Sequence, residues 1–170
     1  MGNTSKLSTA MTETARRSPD EVIYERLAPE LTRFATGLVG RDDAADVTAS
    51  AFLRAPAAPT WPAVTNHRAY LYRTVLDEAR TWARRRSQRP VREVAAAVHR
   101  RSLELPGGFD PAVADAVARL GVRRRAVIVL MYWADLSPAA IAERLGISEG
   151  SVRRHPARAR ARLREVLHAD

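Results

Sequence analysis

The sequence predicts an all-α fold of two small helical domains joined by a flexible linker. Three observations support this prediction. Apolar residues recur at intervals of three and four, as on one face of a helix, and no segment alternates apolar and polar residues like a strand. Serine–proline and aspartate–proline pairs mark helix starts, and glycines mark helix ends. A basic connection rich in helix breakers, residues 87–109, separates a first domain at 18–86 from a second at 110–170.

The first helix is predicted to follow a disordered tail. Residues 1–17 are rich in Ser and Thr and nearly lack large apolar side chains, so they cannot offset the entropy of ordering. Ser18 is expected to cap the helix, with a proline at the first position and Glu21 closing a capping box. Pro29 is expected to kink this helix and Gly40 to end it.

Two further helices complete the predicted first domain. One extends from Asp42 to Arg54 and has apolar residues along one side. A loop with three prolines follows at residues 55–66. The next helix begins at about His67 and ends at about Arg86, where the chain becomes a run of arginines.

The second domain is predicted to contain a buried helix followed by a helical hairpin. Asp110 opens a helix that Gly121 ends, and the apolar segment 122–135 forms the buried helix. Ser137 and a following proline start another helix, which stops at Gly146.

Residues 137–152, SPAAIAERLGISEGSV, have the pattern of a helix-turn-helix. Two helices that cross over a short turn need a small residue where they nearly touch, a glycine in the turn and apolar anchors on both sides. Ser148 is placed to cap the second helix. An unrelated helical hairpin is the alternative, and the match at linked positions favours the helix-turn-helix. These positions are Ala142, Gly146, Ile141, Leu145, Ile147 and Val152.

The helix after this turn has a densely basic outer face. A rotation of about 100° per residue from the inward Val152 directs Arg154 and Arg158 outward. Residues 150–164 contain six arginines and no acid, which favours a DNA-binding helix over an ordinary solvated face. If all six neutralise phosphates, the logarithm of the DNA affinity should fall as the logarithm of the salt concentration rises, with a slope of about five. The predicted contacts are Ser151, Arg153, Arg154, His155 and Arg158.

Composition agrees with a nucleic-acid partner. The chain has 170 residues, is 46% hydrophobic and carries a net charge of +9, which favours either nucleic acid or an acidic membrane face. Its longest purely apolar run, residues 126–134, is about half of what a membrane-spanning helix needs, and the N-terminus lacks the apolar block of a signal peptide. We therefore expect a cytoplasmic protein. The absence of cysteine excludes disulfides and thiolate metal sites.

Three segments resemble a known family. Residues 113–167 resemble region 4 of bacterial RNA polymerase sigma factors, especially the extracytoplasmic-function group. DDAADVTASAFLRA, residues 42–55, resembles the region 2 helix that docks on the polymerase clamp. RAYLYRTVLDEARTWARRR, residues 68–86, resembles the helix that contacts the minus-10 element. The resemblance implies a promoter-specificity subunit without enzymatic activity, which binds core RNA polymerase and promoter DNA at the minus-10 and minus-35 elements, and an anti-sigma partner.

The resemblance also implies two sets of contact residues in the first domain. Trp61 has two interpretations, stacking on an unpaired base or packing against the helices, and the sequence leaves both open. The implied polymerase contacts are Asp43, Asp46, Phe52, Leu53 and Arg54. The implied minus-10 contacts are Trp61, Asn66, Arg68, Tyr70, Arg73, Arg80 and Arg84.

This chain departs from the family pattern at several positions. Ala49 and Ser50 replace a glutamine and a glutamate that help relatives hold the clamp, so we expect weaker polymerase binding. Pro56 begins a loop where the family usually has a tryptophan. Pro156 replaces an inward leucine of the recognition helix and is expected either to kink the helix or to start a new one capped by His155. Either outcome redirects the residues from Arg158 onward.

Other functions receive less support from the sequence. A DNA-binding regulator that does not dock on polymerase is the main alternative, including a response-regulator-like protein that works as a dimer. A protein that only sequesters a partner is a second. We expect no cofactor, metal, catalytic residue or small-molecule substrate, because the four histidines are scattered and no phosphate loop or nucleophile elbow is present. The acids at 42, 43 and 46 suit a helix start better than a cation site.

Overall fold

The computed structural model describes residues 18–88 and 111–154. Every regular element within these two ranges is a helix, in agreement with the predicted all-α class. The predicted tail, most of the predicted linker, and the part of the predicted recognition helix from His155 onward lie outside the described residues. The predictions for Pro156 and Arg158 therefore lie outside them as well.

The first module, residues 18–88, contains three long helices: α1 (Pro19–Val39), α2 (Arg41–Arg54) and α3 (His67–Gln88). The predicted capping box at the start of α1 is confirmed, because the Ser18 hydroxyl accepts from the Glu21 amide at 3.2 Å and the Glu21 carboxylate accepts from the Ser18 amide at 2.8 Å. Gly40 ends α1 with a φ of 91°, a backbone conformation that glycine adopts readily. α1 is one helix that includes Pro29.

The connection from α2 to α3 contains a short 3₁₀ turn, Trp61–Ala63. Asn66 starts α3, because its side-chain oxygen accepts from the Ala69 amide at 2.9 Å. α3 continues through Gln88 and so extends into the segment predicted as linker.

The second module, residues 111–154, contains α4 (Pro111–Ala118), α5 (Val122–Tyr132), α6 (Pro138–Leu145) and the first turns of α7, residues 149–154. The predicted Ser137 cap is confirmed, since its hydroxyl accepts from the Ala140 amide at 3.2 Å. α5 is buried along most of its length, as its apolar sequence predicts.

The two modules pack against each other, which the sequence does not predict. α5 lies against α1 and α3, and α6 lies against α3. Side chains from both modules form one continuous hydrophobic core, in which burial removes apolar surface from water. Among its most buried members are Leu31, Leu38 and Leu71 of the first module and Val127, Leu130 and Ile141 of the second.

Candidate nucleic-acid interface

The turn between α6 and α7 has the predicted helix-turn-helix geometry. Gly146 has a φ of 64° and a ψ of 40°, the left-handed conformation that glycine adopts without a steric penalty. The Ile147 amide donates to the Ala142 carbonyl at 3.1 Å, which satisfies an acceptor at the end of α6. The apolar anchors Ile141, Leu145 and Val152 are buried on the inner side of the hairpin.

Ser148 caps the recognition helix α7, as predicted. Its hydroxyl accepts from the Ser151 amide at 3.2 Å and lies 2.9 Å from the Ser151 hydroxyl. A side-chain cap of this kind stabilises a helix by about 1 kcal/mol. The start of α7 is therefore ordered by its own sequence.

The described part of α7 has two exposed arginines. Arg153 and Arg154 both face solvent, whereas Val152 between Ser151 and Arg153 is fully buried. Arg153 pairs with Glu149 one turn earlier at 2.6 Å, and the Arg154 Nε donates to the Gly150 carbonyl at 3.2 Å. These contacts are local to one exposed helical turn, where an ion pair adds only about 0.3–0.5 kcal/mol. Phosphate can replace such contacts at little cost.

The candidate minus-10 arginines on α3 have partners in α1 or within α3 itself. Arg68 pairs with the Glu30 carboxylate of α1. Arg80 pairs with Asp77 at 3.1 Å, and Arg84 lies 3.4 Å from the Thr81 hydroxyl. Tyr70 is half-buried.

Two of the candidate minus-10 residues touch the second module. The Asn66 amide nitrogen donates to the Glu143 carboxylate of α6 at 3.1 Å. The Arg73 side chain lies against Gly146, and a Cβ at Gly146 would stand 2.9 Å from the Arg73 Cδ. The helix-turn-helix therefore covers part of the α3 face.

Trp61 packs inside the first module. Its exposed fraction is 8%, and its indole nitrogen donates to the Asp20 carboxylate at 2.9 Å. Its ring meets those of His67 and Tyr70 edge-on, at centroid distances of 4.7 and 5.5 Å. Of its two interpretations, packing is therefore the one that this structure favours, because a buried ring has no face to offer to a base.

α2 presents one exposed face to solvent. Asp46, Ala49, Ser50 and Leu53 are all exposed and follow the i, i+3, i+4, i+7 spacing of a single helical face. Leu53 is the most exposed large apolar residue described, with an exposed fraction of 79%. The two residues that depart from the family pattern lie in the middle of this face.

The other implied polymerase contacts have structural partners. The Trp82 indole nitrogen donates to Asp43 at 3.1 Å, which joins α3 to α2. Arg54 pairs with Glu78 at 2.5 Å, and Phe52 meets the Tyr24 ring edge-on at 4.7 Å. Tyr24, which the sequence patterns did not single out, has an exposed fraction of 49% and extends the apolar surface from α2 onto α1. The sequence did contain a signal for this residue, because Tyr24 is a large aromatic that lies outside the spacing of the buried residues of α1.

The described residues contain no group of acidic or histidine side chains arranged to hold a metal ion. Asp42 and Asp43 lie in the first turn of α2, where acids stabilise a helix start. Within the same ranges, no helix combines the length and apolar character needed to cross a membrane.

Comparisons with known proteins agree with this geometry. The Sigma-70, region 4 family model matches residues 111–163. The chain is 33% identical over 155 residues to an RNA polymerase sigma-E factor of Streptomyces antibioticus, covering 87% of this chain and 83% of the relative. That match extends across both modules.

Two solved structures have a similar fold. One is the sigma factor RpoE in complex with the anti-sigma factor NepR from Bartonella quintana, with a TM-score of 0.62, 23% identity, and coverage of 88% of this chain and 97% of that chain. The other is CnrH in complex with the cytosolic domain of CnrY, with a TM-score of 0.57, 25% identity, and coverage of 89% and 88%.

Proposed function

Because the chain belongs to the extracytoplasmic-function group of RNA polymerase sigma factors, we propose that three of its helices serve different steps of promoter recognition. The protein directs transcription initiation as a promoter-specificity factor that binds core polymerase and promoter DNA. The exposed α2 face docks on core polymerase, α3 contacts the minus-10 element, and α7 reads the minus-35 element.

The observation that carries this proposal is that one chain has both the exposed arginines of α7 and the separate exposed face of α2. A capped recognition helix with outward arginines suits major-groove DNA, where early helix residues reach base edges. The separate α2 face suits a protein partner, because it combines Leu53 with Asp46 on one exposed side. A DNA-binding regulator that ignores polymerase does not need the second surface.

The docking surface is centred on the α2 face. Asp46 and Leu53 contact polymerase directly, and Phe52 supports them by packing on Tyr24. Asp43 and Arg54 contribute mainly by holding α2 against α3, since both already bind α3 side chains. Ala49 and Ser50 leave the centre of the surface without polar groups, which weakens docking.

DNA is contacted by arginines of both modules. Ser151, Arg153 and Arg154 meet the minus-35 element, and His155 and Arg158 belong to the same proposed set. Arg68, Arg73, Arg80 and Arg84 meet minus-10 DNA together with Asn66 and Tyr70. Phosphate contacts position the protein, and contacts with base edges provide specificity.

We propose further that the protein acts in the cytoplasm, performs no catalysis of its own, and is regulated by an anti-sigma factor. Both solved structures with a similar fold are complexes. One contains the anti-sigma factor NepR, and the other contains the cytosolic domain of CnrY. These two complexes support the expectation of a protein regulator for this chain.

Run-off transcription tests the proposed function. The purified chain is mixed with core RNA polymerase on a promoter selected by genomic binding. We expect a discrete transcript only when both proteins are present. If the chain binds that promoter alone and leaves transcription by core polymerase unchanged, the chain is a regulator that does not dock on polymerase.

A further inference from the structure

A cavity of about 430 Å³ lies between α1, α3, α6 and the connection from α5 to α6. Small-molecule sites in proteins have volumes of roughly 300–1,000 Å³ and combine an apolar lining with a few polar groups. Here the apolar lining includes the buried Phe34 and Leu130 and the half-buried Trp133 and Leu136. The cavity therefore has the size and the apolar surface that a small organic ligand needs.

The two helices beneath this lining are held in close contact. Gly37 of α1 has no side chain, and a Cβ there would stand 2.7 Å from Cγ2 of Val129, which lines the cavity. The Arg125 guanidinium of α5 donates to the Leu38 carbonyl at the end of α1 and to two carbonyls at the end of α4. The lining is therefore part of a packed core whose shape is fixed before a ligand arrives.

The connection from α5 to α6 contributes one wall of the cavity through a turn. Asp135 has a φ of 49°, a left-handed conformation that aspartate adopts more readily than most residues. After this turn the Leu136 amide donates to the Leu130 carbonyl at 3.1 Å. Asp135 is itself exposed, whereas Trp133 before it and Leu136 after it line the cavity. One turn therefore supplies two apolar side chains to the same wall.

The charged part of the lining is mainly basic. Three arginines, Arg33, Arg68 and Arg144, line the cavity together with one carboxylate, that of Glu30. Burial and the bond to Glu30 raise the pKa of Tyr72, so its hydroxyl keeps its proton and adds no negative charge. A cleft lined by an excess of one charge concentrates ions of the opposite charge. This cavity therefore favours an anion.

Glu30 is already occupied by other groups, which leaves Arg33 without an anionic partner. One Glu30 oxygen accepts from Arg68, and the other accepts from the Tyr72 hydroxyl at 2.7 Å and from Arg144 at 3.2 Å. Arg33 is exposed, and its guanidinium makes no hydrogen bond or ion pair with any other residue that the structure describes. Arg33 is therefore the arginine of this cavity that is ready to bind an added anion.

The lining selects one class of ligand. The planar guanidinium of Arg33 matches both oxygens of a carboxylate. The ring of Trp133 favours an aromatic body, because aromatic rings pack on each other with additional stabilisation. A cation is repelled by the arginines, and an inorganic anion has no apolar body to cover the lining. An aromatic carboxylate satisfies both parts of the cavity.

We propose that this cavity is a binding site for a small aromatic carboxylate, with its ring against Trp133 and its carboxylate on Arg33. The ligand is bound and released without a chemical change. The site is separate from the exposed α2 face and from the arginines of α7, and it shares only Arg68 with the proposed minus-10 contacts. Binding is measured on the free chain, so its outcome does not depend on the proposed function.

Nuclear magnetic resonance of the full chain tests this proposal, with naphthoate as the probe and naphthamide as its uncharged counterpart. The chain has three tryptophans, and their indole N–H signals are assigned with Trp61→Phe, Trp82→Phe and Trp133→Phe. We expect naphthoate to shift the Trp133 signal saturably, with a Kd below ~1 mM. The signals of Trp61 and Trp82, which do not line the cavity, should stay in place. Naphthamide should bind ~10-fold more weakly, because it lacks charge-assisted hydrogen bonds.

Arg33→Gln tests the carboxylate contact. Because Arg33 is exposed, we expect this variant to fold normally, to bind naphthoate ~5-fold or more weakly, and to bind naphthamide like the parent chain. Arg26→Gln is the matched control. Arg26 is an exposed arginine two turns earlier on α1 that does not line the cavity, so its loss should leave naphthoate binding within about twofold.

Three results would overturn the proposal. The first is no saturable shift of the Trp133 signal at millimolar naphthoate. The second is equal affinity for naphthoate and naphthamide, or equal affinity of Arg33→Gln and Arg26→Gln for naphthoate. The third is loss of naphthoate binding in Leu53→Ala, which would locate the probe on the exposed apolar surface of α2 instead. A saturable Trp133 shift that depends on Arg33 supports the proposal.

Discussion

The α3 face and the recognition helix α7 are both rich in arginine, yet their side chains are held differently. On α7, Arg153 and Arg154 bond only within their own helical turn and remain exposed. Arg80 and Arg84 of α3 also bond within their own helix, but Arg68 reaches α1, and Asn66 at the start of α3 reaches α6 of the other module. A local pair on an exposed turn is easily exchanged for phosphate, whereas a pair between elements is lost only when those elements move.

This difference separates two requirements for binding DNA. The recognition helix needs only a matching groove, because its arginines are already presented to solvent. By contrast, Asn66 and Arg73 of the proposed minus-10 set already contact the second module.

The largest expected effect comes from removing the cation that joins the modules. Arg125→Met leaves the Leu38, Ala118 and Leu120 carbonyls without this donor, so we expect a loss of about 3 kcal/mol in the free energy of unfolding. Urea denaturation of the full chain measures this loss. The neighbouring Arg124 is exposed, and Arg124→Met should stay within about 0.5 kcal/mol of the parent. Equal stability of the two variants would show that Arg125 does not hold the helix ends.

A second prediction isolates the recognition helix. Arg154→Ala should weaken binding to a minus-35 duplex by about 1–3 kcal/mol if Arg154 reads a base edge, with relaxed specificity at that base. If Arg154 contacts phosphate, binding weakens for all sequences and the salt slope falls by about 1. Titration of wild-type and altered duplexes at several salt concentrations separates the two. Arg119, exposed after α4, is the control position, and an effect of Arg119→Ala equal to that of Arg154→Ala contradicts the assignment.

A third prediction separates polymerase docking from DNA binding. Leu53→Ala removes an exposed apolar side chain without opening the core, so we expect unchanged folding and a loss of about 1–2 kcal/mol in affinity for core polymerase. Ala49→Gln combined with Ser50→Glu restores the family's residues on the same face and should strengthen docking. Titration of labelled core polymerase measures both. If neither change alters the affinity, α2 is not the docking surface.

The smallest expected effect concerns Pro156. Pro156→Leu restores the inward leucine of relatives and a backbone donor in the recognition helix. We therefore expect it to leave binding to the cognate minus-35 sequence unchanged or to improve it, measured by duplex titration. A complete loss of binding would show that the proline-induced geometry is required.

Local signals in the sequence predicted most of the fold. The Ser18 capping box, the Ser148 cap and the Gly146 turn depend on residues within four positions of each other, so each was readable from a short segment. The end of α3 was predicted at about Arg86, whereas Ser87 and Gln88, predicted as linker, are still helical.

The contacts between modules were not readable in this way. Arg125 stands in a run of three arginines that resembles a solvated segment, and only the approach of α1 and α4 explains its burial. Gly37 offered one signal, a glycine inside a helix with no turn to make. Trp61 was ambiguous for a similar reason, since its partner Asp20 lies far away in sequence.

The most direct test of the packing between the modules is the distance between them in the free and promoter-bound protein. Ala57 and Ala139 are exposed positions, one in each module, and cysteines there accept a fluorescent donor and acceptor without competing thiols. We predict efficient energy transfer in the free chain and a large loss of transfer after core polymerase and promoter DNA are added. The same transfer efficiency in both states would contradict the account.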